Sequence, residues 1–330
     1  MGRQPTTLYF TKMYKKMNFF ALEMTFLRYF VPLIICGNER SIKSTVLIDS
    51  NNKYNCPIKN IKHLEDLSDK YNFNIQHVNE ANQDITFLIE GVGANLTKAK
   101  KVSITYMTDY QLSWKKYWND IDYCIFPSKW FAEFIKKEDK KSLFLGSPKY
   151  DLDLNKDQIF KKYSLKPELK YAFVPLPRAR DLNLVNLSFI YNFLHDKGYK
   201  IITKSRGKDN YKGGGDFNFL DASWFPHDSM ELMKISDLVI NFDSTCIKEC
   251  IMLKKKVINF NVKPFKQLLP ELYDGEYAAN IKSDLWNADN LNQHYERIMA
   301  SPLSCFDPII EKYLFRTGSS ARILDYFNTK

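Results

Sequence analysis

A chain of 330 residues with 45% hydrophobic and 15% aromatic content can bury the cores of two domains of ordinary size, which excludes wholesale disorder. Its formal charge of +10, from 48 Lys and Arg against 38 Asp and Glu, attracts anions: nucleic acid, anionic lipid or a phosphate-bearing small molecule. Zinc-finger spacing, an RNA-binding aromatic motif and an arginine-rich arm are all missing, so nucleic acid is set aside as a partner.

Thr7 to Phe10 reads as a first strand. Met17 to Cys36 follows as a helix-like apolar segment, but Glu23, Arg28 and Pro32 interrupt it, so it lacks the run of about 20 apolar residues that a spanning helix needs. It reads as the first buried helix of a domain. A sharper alternative sets Phe19, Phe20, Phe26 and Phe30 beside Lys12, Lys15 and Lys16 as a peripheral contact with the inner face of an anionic membrane. Short apolar runs then predict strands at Ser44 to Asp49, Asn74 to Val78, Ile85 to Ile89, Val102 to Tyr106, Tyr123 to Phe126 and Leu143 to Leu145. Helices are expected at Ile58 to Tyr71, Leu112 to Trp118 and Lys129 to Lys137. This alternation predicts a parallel α/β sheet.

Gly146-Ser147-Pro148-Lys149-Tyr150-Asp151 ends the pattern with turn formers, which places a domain boundary between 150 and 151. A second series runs from a strand at Tyr171 to Pro177 through a helix at Asn183 to Lys197 to a strand at Tyr199 to Thr203. Gly213-Gly214-Gly215 reads as a flexible turn before a strand at Phe217 to Leu220, and Ser229 to Ile235 as a short helix. Asp237 to Phe260 is one complete β-loop-α-β unit, with a strand at Leu238 to Phe242 and caps at Asp243, Ser244 and Thr245. Its helix has the apolar face Cys246, Ile247, Cys250, Ile251 and Leu253, and Lys254 to Lys256 suit the helix end before a strand at Val257 to Phe260. Pro264 to Ala279 reads as loop, Asn290 to Met299 as a helix, and Phe306 to Phe315 and Ser319 to Phe327 as closing helices.

The six scattered cysteines sit mostly in apolar contexts, as expected of a reduced cytosolic compartment, and the polar opening Gly2-Arg3-Gln4-Pro5 reads as no signal peptide. Cys246 and Cys250 have helical spacing without an accompanying His or second Cys pair, so they read as core packing and no metal is expected.

Open α/β sheets bind ligands beyond the carboxyl ends of their strands, and two α/β halves leave a cleft between such edges. In the second half Lys204-Ser205-Arg206-Gly207-Lys208-Asp209 directly follows a strand. Lys204, Arg206 and Lys208 around a glycine suit a diphosphate, with Arg206 able to make paired hydrogen bonds; the competing reading is a solvated basic loop. The start of the helix after Ser244 and Thr245 can seat a phosphate. His227 can contact a phosphate or base or lie in an ordinary turn, and Glu249 can accept from sugar hydroxyls or pair with a surface lysine. In the first half Glu90, followed by Gly91 and Gly93, and Asp109 each end a strand; either can deprotonate an attacking hydroxyl or merely cap a helix. The glycine spacing after Glu90 is not a dinucleotide fingerprint.

Four segments carry a resemblance: Phe126-Pro127-Ser128; Gly146 to Asp151, similar to a Gly-x-Pro-x-x-Asp linker; Lys204-Ser205-Arg206, where many relatives have Lys-x-His-Pro; and Met230 to Ile240 continuing to Ser244, Thr245 and Glu249. In these the chain resembles the GT-B nucleotide-sugar glycosyltransferases, in the group with CDP-glycerol glycerophosphotransferases, capsule sugar transferases and non-hydrolysing UDP-N-acetylglucosamine 2-epimerases. The resemblance implies two Rossmann-like domains facing across a cleft, residues 1–150 for the acceptor and 151–330 for the donor, with C-terminal helices packing back toward the first domain. It implies Ser244 and Thr245 on phosphate and Glu249 near the ribose. The expected activity is transfer of a sugar, or a polyol phosphate, from a nucleotide-activated donor to a surface glycan or lipid-linked acceptor. Neither cofactor nor metal is needed, because the cations can neutralise the leaving group. The alternatives are a nucleotide-sugar 2-epimerase, whose acidic N-domain triad is not visible here, and a catalytically silent glycan-binding or assembly subunit.

Overall fold

Runs of Val, Ile, Leu and Phe buried on both faces form the strands of two parallel sheets, as expected where helices cover a sheet on either side. The computed structural model describes residues 15–49, 61–78, 85–105, 113–137, 139–205, 211–220, 228–262, 269–282, 287–314 and 317–328. These fall into two compact units, the first containing 15–105, 113–151 and 317–328 and the second 152–314.

In the first unit β1 (Lys16–Phe20), α1 (Leu27–Glu39), β2 (Lys43–Ile48), α2 (Ile61–Tyr71), β3 (Asn74–His77), β4 (Ile85–Ile89), β5 (Lys100–Ile104), β6 (Tyr123–Ile125), α3 (Lys129–Phe134) and β7 (Ser142–Leu143) build a sheet of order β3-β2-β1-β4-β5-β6-β7. The expected first strand at Thr7 to Phe10 lies outside the described residues. Met17 to Cys36 is not one helix: its first residues are β1, paired on both sides with β2 and β4. A strand buried on both faces shows no alternation, so its periodicity is indistinguishable from that of a buried helix. Phe19, Phe20, Phe26 and Phe30 are at most 8% exposed, which overturns the reading of these four as a membrane-contact face. Among the described residues no helix is long and apolar enough to cross a membrane.

In the second unit α4 (Lys156–Lys162), β8 (Tyr171–Pro175), α5 (Leu187–Asp196), β9 (Lys200–Lys204), β10 (Phe217–Phe219), α6 (Asp228–Ile235), β11 (Leu238–Asn241), α7 (Ile247–Met252), β12 (Lys256–Asn261), β13 (Ala278–Lys282) and α8 (Ala288–Ala300) give the order β10-β9-β8-β11-β12-β13. Strand β13 begins inside the stretch read as loop; it pairs in register with β12 from Val257 and Ala278 to Asn261 and Lys282. The first expected closing helix, Phe306 to Phe315, is a short turn, Asp307–Ile309, running into a π-helical stretch, Ile310–Leu314. Gly213 to Gly215 are not a flexible turn. Cβ atoms on Gly213 and Gly215 would lie 2.6 Å from Leu176 and 2.7 Å from Thr203, and the Gly213 carbonyl accepts from Tyr191 at 2.8 Å, so these glycines permit close packing.

The last helix, α9 (Ser319–Asn328), belongs to the first unit. Phe327 packs edge-on against Phe87 and Tyr123, with ring centroids 5.9 and 5.5 Å apart. The Asp151 carboxylate accepts from the backbone N–H groups of Gly318, Ser319 and Ser320 at 2.7, 3.2 and 2.5 Å, capping α9 from across the chain. Gly146, at φ +91, lies so close to Ser319 that a Cβ would meet its hydroxyl at 2.2 Å. The Gly-x-Pro-x-x-Asp segment is thus the clamp on the returning helix.

Candidate functional site

Each sheet reverses its strand order once near its centre, between β1 and β4 in the first unit and between β8 and β11 in the second. Connections leave such neighbours in opposite directions, and the carboxyl ends of the strands are left open to a ligand there. Glu90 directly follows β4 and the Asp243–Thr245 turn closely follows β11, so two sequence candidates fall at these reversals.

The turn after β11 is built on asparagines. Asn241, Asn259 and Asn280 are register partners on β11, β12 and β13 and therefore share one face of the sheet. The Asn259 Oδ1 accepts from Asn241 Nδ2 at 2.8 Å and from the Asp243 N–H at 2.9 Å. Its Nδ2 donates to Asp243 Oδ1 at 3.0 Å and to Asn280 Oδ1 at 2.8 Å. Asp243 Oδ2 accepts from the Val262 N–H at 2.9 Å. Asp243 stands at φ +48, a left-handed conformation that few side chains adopt. Its carboxylate ties the turn to β12, where the sequence had it capping a helix.

Ser244 and Thr245 follow at the turn, and the Ser244 hydroxyl accepts from the Cys246 N–H at 3.4 Å. Helix α7 is six residues long and has no side-chain cap on its first turn, so its dipole is a minor source of anion affinity. Glu249 lies in that first turn and is buried. Cys250 packs with its sulfur 3.8 Å from that of Met233, and burial pushes its thiol well above the usual range.

Cationic residues also follow β8 and β9 at the carboxyl edge of the same sheet. Lys204 is the last residue of β9 and is buried; Ser205 follows, its buried hydroxyl without a hydrogen-bond partner among the described residues. The Leu176 N–H donates to the Lys204 carbonyl at 2.9 Å, which aligns the ends of β8 and β9. Arg206, Lys208 and His227 lie outside the described residues. Two cations that the sequence reading passed over, Arg178 and Arg180, follow β8 on the strand-order reversal itself. Arg180 sits 3.4 Å from Asp181, whereas Arg178 is half-buried and forms no ion pair with a described carboxylate. Tyr211 donates to the Pro177 carbonyl at 2.6 Å and so fixes the chain just ahead of Arg178. The available signal was a basic residue three positions after the first strand of a series, which gains meaning only once that strand is known to be central.

In the first unit Glu90 is 5% exposed and stands at φ +50, with its N–H donating to the Ile104 carbonyl at 3.0 Å. Gly91 and Gly93 also have positive φ, and a Cβ on Gly93 would lie 2.4 Å from the Phe20 ring. A glutamate held left-handed at a strand end is a strained arrangement of the kind that clusters at functional sites. Thr105, directly after β5, donates from its hydroxyl to the Ile125 carbonyl at 2.7 Å, and Asp109 beyond it lies outside the described residues.

No protein-family model matches the sequence, and the comparison with curated proteins gives no match. Solved structures do match over nearly the whole chain. A putative UDP-N-acetylglucosamine 2-epimerase from Listeria monocytogenes aligns with a TM-score of 0.64 at 12% identity, covering 94% of this chain and 95% of that one. The glycosyltransferase of kitacinnamycin aligns at 0.62 and 10% identity, covering 96% and 98%. The wall teichoic acid polymerase TagF aligns at 0.60 and 14% identity, covering 95% and 88%. The fold is therefore the two-domain α/β fold of the GT-B group, as the sequence resemblance implied.

Proposed function

We propose that this chain is a nucleotide-sugar-dependent glycosyltransferase of the GT-B type. It would transfer a sugar, or a polyol phosphate, from a nucleotide-activated donor to a glycan or lipid-linked acceptor, without metal or cofactor. The observation that carries the reading is the strand-order reversal in the second sheet, where Arg178, Lys204 and the Ser244–Thr245 turn lie along one edge. A full charge about 4 Å from a phosphate is worth up to roughly 4 kcal/mol at intermediate dielectric before desolvation is subtracted. A helix terminus contributes about 0.3–1 kcal/mol. Arg178, Lys204, Arg206 and Lys208 thus supply most of the affinity for the diphosphate and stabilise it as it departs, while Ser244 and Thr245 place it. Glu249 receives the ribose hydroxyls, and His227 meets a phosphate or the base. Glu90 takes the proton of the acceptor hydroxyl, with Asp109 the other candidate base.

Likeness to UDP-N-acetylglucosamine 2-epimerases favours a second reading, isomerisation of the donor sugar with no acceptor. Titration calorimetry with UDP, CDP and CMP tests the common ground: no binding by any of them, with Arg206→Ala indistinguishable from wild type, overturns both readings. Incubating a donor alone and following its sugar by NMR separates them, because isomerisation without acceptor removes the transferase reading.

A further inference from the structure

Buried positions on central strands normally carry Val, Ile or Phe, and asparagine is depleted there. Asn241 and Asn259 are nevertheless 0% exposed, and Asn280, the register partner of Asn259, is half-buried. A buried amide that loses its partners carries an uncompensated desolvation cost, whereas a satisfied polar ladder rigidifies what it connects. Asn259 uses its full capacity: two bonds accepted and two donated, three of the four to Asn241 and Asp243, which flank the turn. Asn241 adds a bond from Nδ2 to the Ser244 carbonyl at 3.1 Å.

We infer that the Asn241–Asn259–Asn280 ladder is a positioning device that holds Asp243 left-handed and thereby sets where Ser244 and Thr245 meet the donor phosphate. The inference rests on the proposed nucleotide-binding role of that turn. Asn259 touches no substrate; it acts through the backbone of Asp243 and the carbonyl side of Ser244. Without it the Asp243 carboxylate loses the Nδ2 donor at Oδ1 and the Asp243 N–H loses its acceptor, which leaves the left-handed turn with fewer of the local hydrogen bonds that hold an aspartate in that conformation.

The test is a charge swap. Asn259→Asp keeps both acceptor bonds but sets a carboxylate against Asp243 where a donor stood. Combining it with Asp243→Asn restores a donor facing an acceptor, and Asn280 can turn its amide to donate. Hydrogen exchange of amides 243–248 and calorimetry with UDP and CDP are read on wild type, Asn259→Asp, the double variant and the milder Asn280→Ala, each checked for a cooperative melt. In Asn259→Asp at pH 8 exchange should quicken and nucleotide affinity should fall about tenfold, with recovery as pH falls and the new carboxyl protonates; the double variant should return close to wild type. A double variant as impaired as Asn259→Asp, or unchanged exchange in folded Asn259→Asp, overturns the inference. If Asn259→Asp does not fold, Asn280→Ala carries the test: exchange at 243–248 should quicken, and unchanged exchange there overturns the inference. Faster exchange in a protein whose wild type binds no nucleotide overturns the proposed function alone.

Discussion

Replacing Asp151 by Ala removes the carboxylate that accepts from the N–H groups of Gly318, Ser319 and Ser320. A lost cap costs about 0.5–2 kcal/mol, and a hydrogen bond to a charged group is worth roughly 1.5–3 kcal/mol. Asp151 is only half-buried, so water can reach part of the vacated site, and the loss comes to about 2 kcal/mol. Further along α9 the side chains of Ile323, Leu324 and Phe327 are buried, each contributing about 1.5–3 kcal/mol by burial, so the helix stays docked and the chain folds. The loss therefore appears in the first turn: about 2 kcal/mol raises local opening roughly 30-fold. Hydrogen exchange of amides 319–322 reads that change, and the urea midpoint of the first unit should fall with it. Asp151→Asn, which keeps one acceptor oxygen, should lie between. By contrast Asp325→Ala, which breaks an exposed 2.6 Å pair with Arg40, should change stability by no more than about 0.5 kcal/mol. Exchange at 319–322 and a midpoint both unchanged in Asp151→Ala would refute the cap.

Gly146→Ala combines a left-handed φ of +91 with a Cβ 2.2 Å from the Ser319 hydroxyl, and should destabilise by at least about 2 kcal/mol in denaturant titration. Glu90→Gln should lower transfer by about 10²–10⁴-fold while leaving nucleotide affinity intact, a split read from single-turnover rates beside calorimetry; equal losses in both would remove Glu90 as the base. Lys204→Ala and Arg178→Ala should each weaken nucleotide binding about tenfold and flatten its salt dependence, and an effect confined to Lys204 would take Arg178 out of the site. Burial, reinforced by Lys156, lowers the Lys255 ammonium from 10.5 to about 8 while its Nζ donates to the Ser236 carbonyl at 2.6 Å. Between those values the folded chain holds fewer protons at this site than the unfolded chain, so stability should rise with pH from about 8 toward 10. Lys255→Met should lose that part of the slope, and identical slopes in the two proteins would contradict the assignment.

Local sequence pattern was enough for the element types and most of their positions. Runs such as Ile85 to Ile89, turn formers such as Gly146 to Asp151, and apolar spacing such as Ile61, Leu64 and Leu67 act locally, over one or two turns of chain. It also placed Lys204, Ser244 and Glu90 at strand ends, because a strand's end is a local feature. Where two elements look alike in their own neighbourhood, as β1 does to a buried helix, local pattern misled. Strand order came from the fold alone, because it depends on contacts between residues far apart in the chain. That order made Arg178 a candidate and brought Asn241, Asn259 and Asn280 into one row. It also turned Asp243 from a helix cap into a strut and Asp151 from a linker residue into the clamp on α9. An Asp or Asn carries the same donors and acceptors wherever it stands; which of them it uses is set by the neighbours that folding supplies.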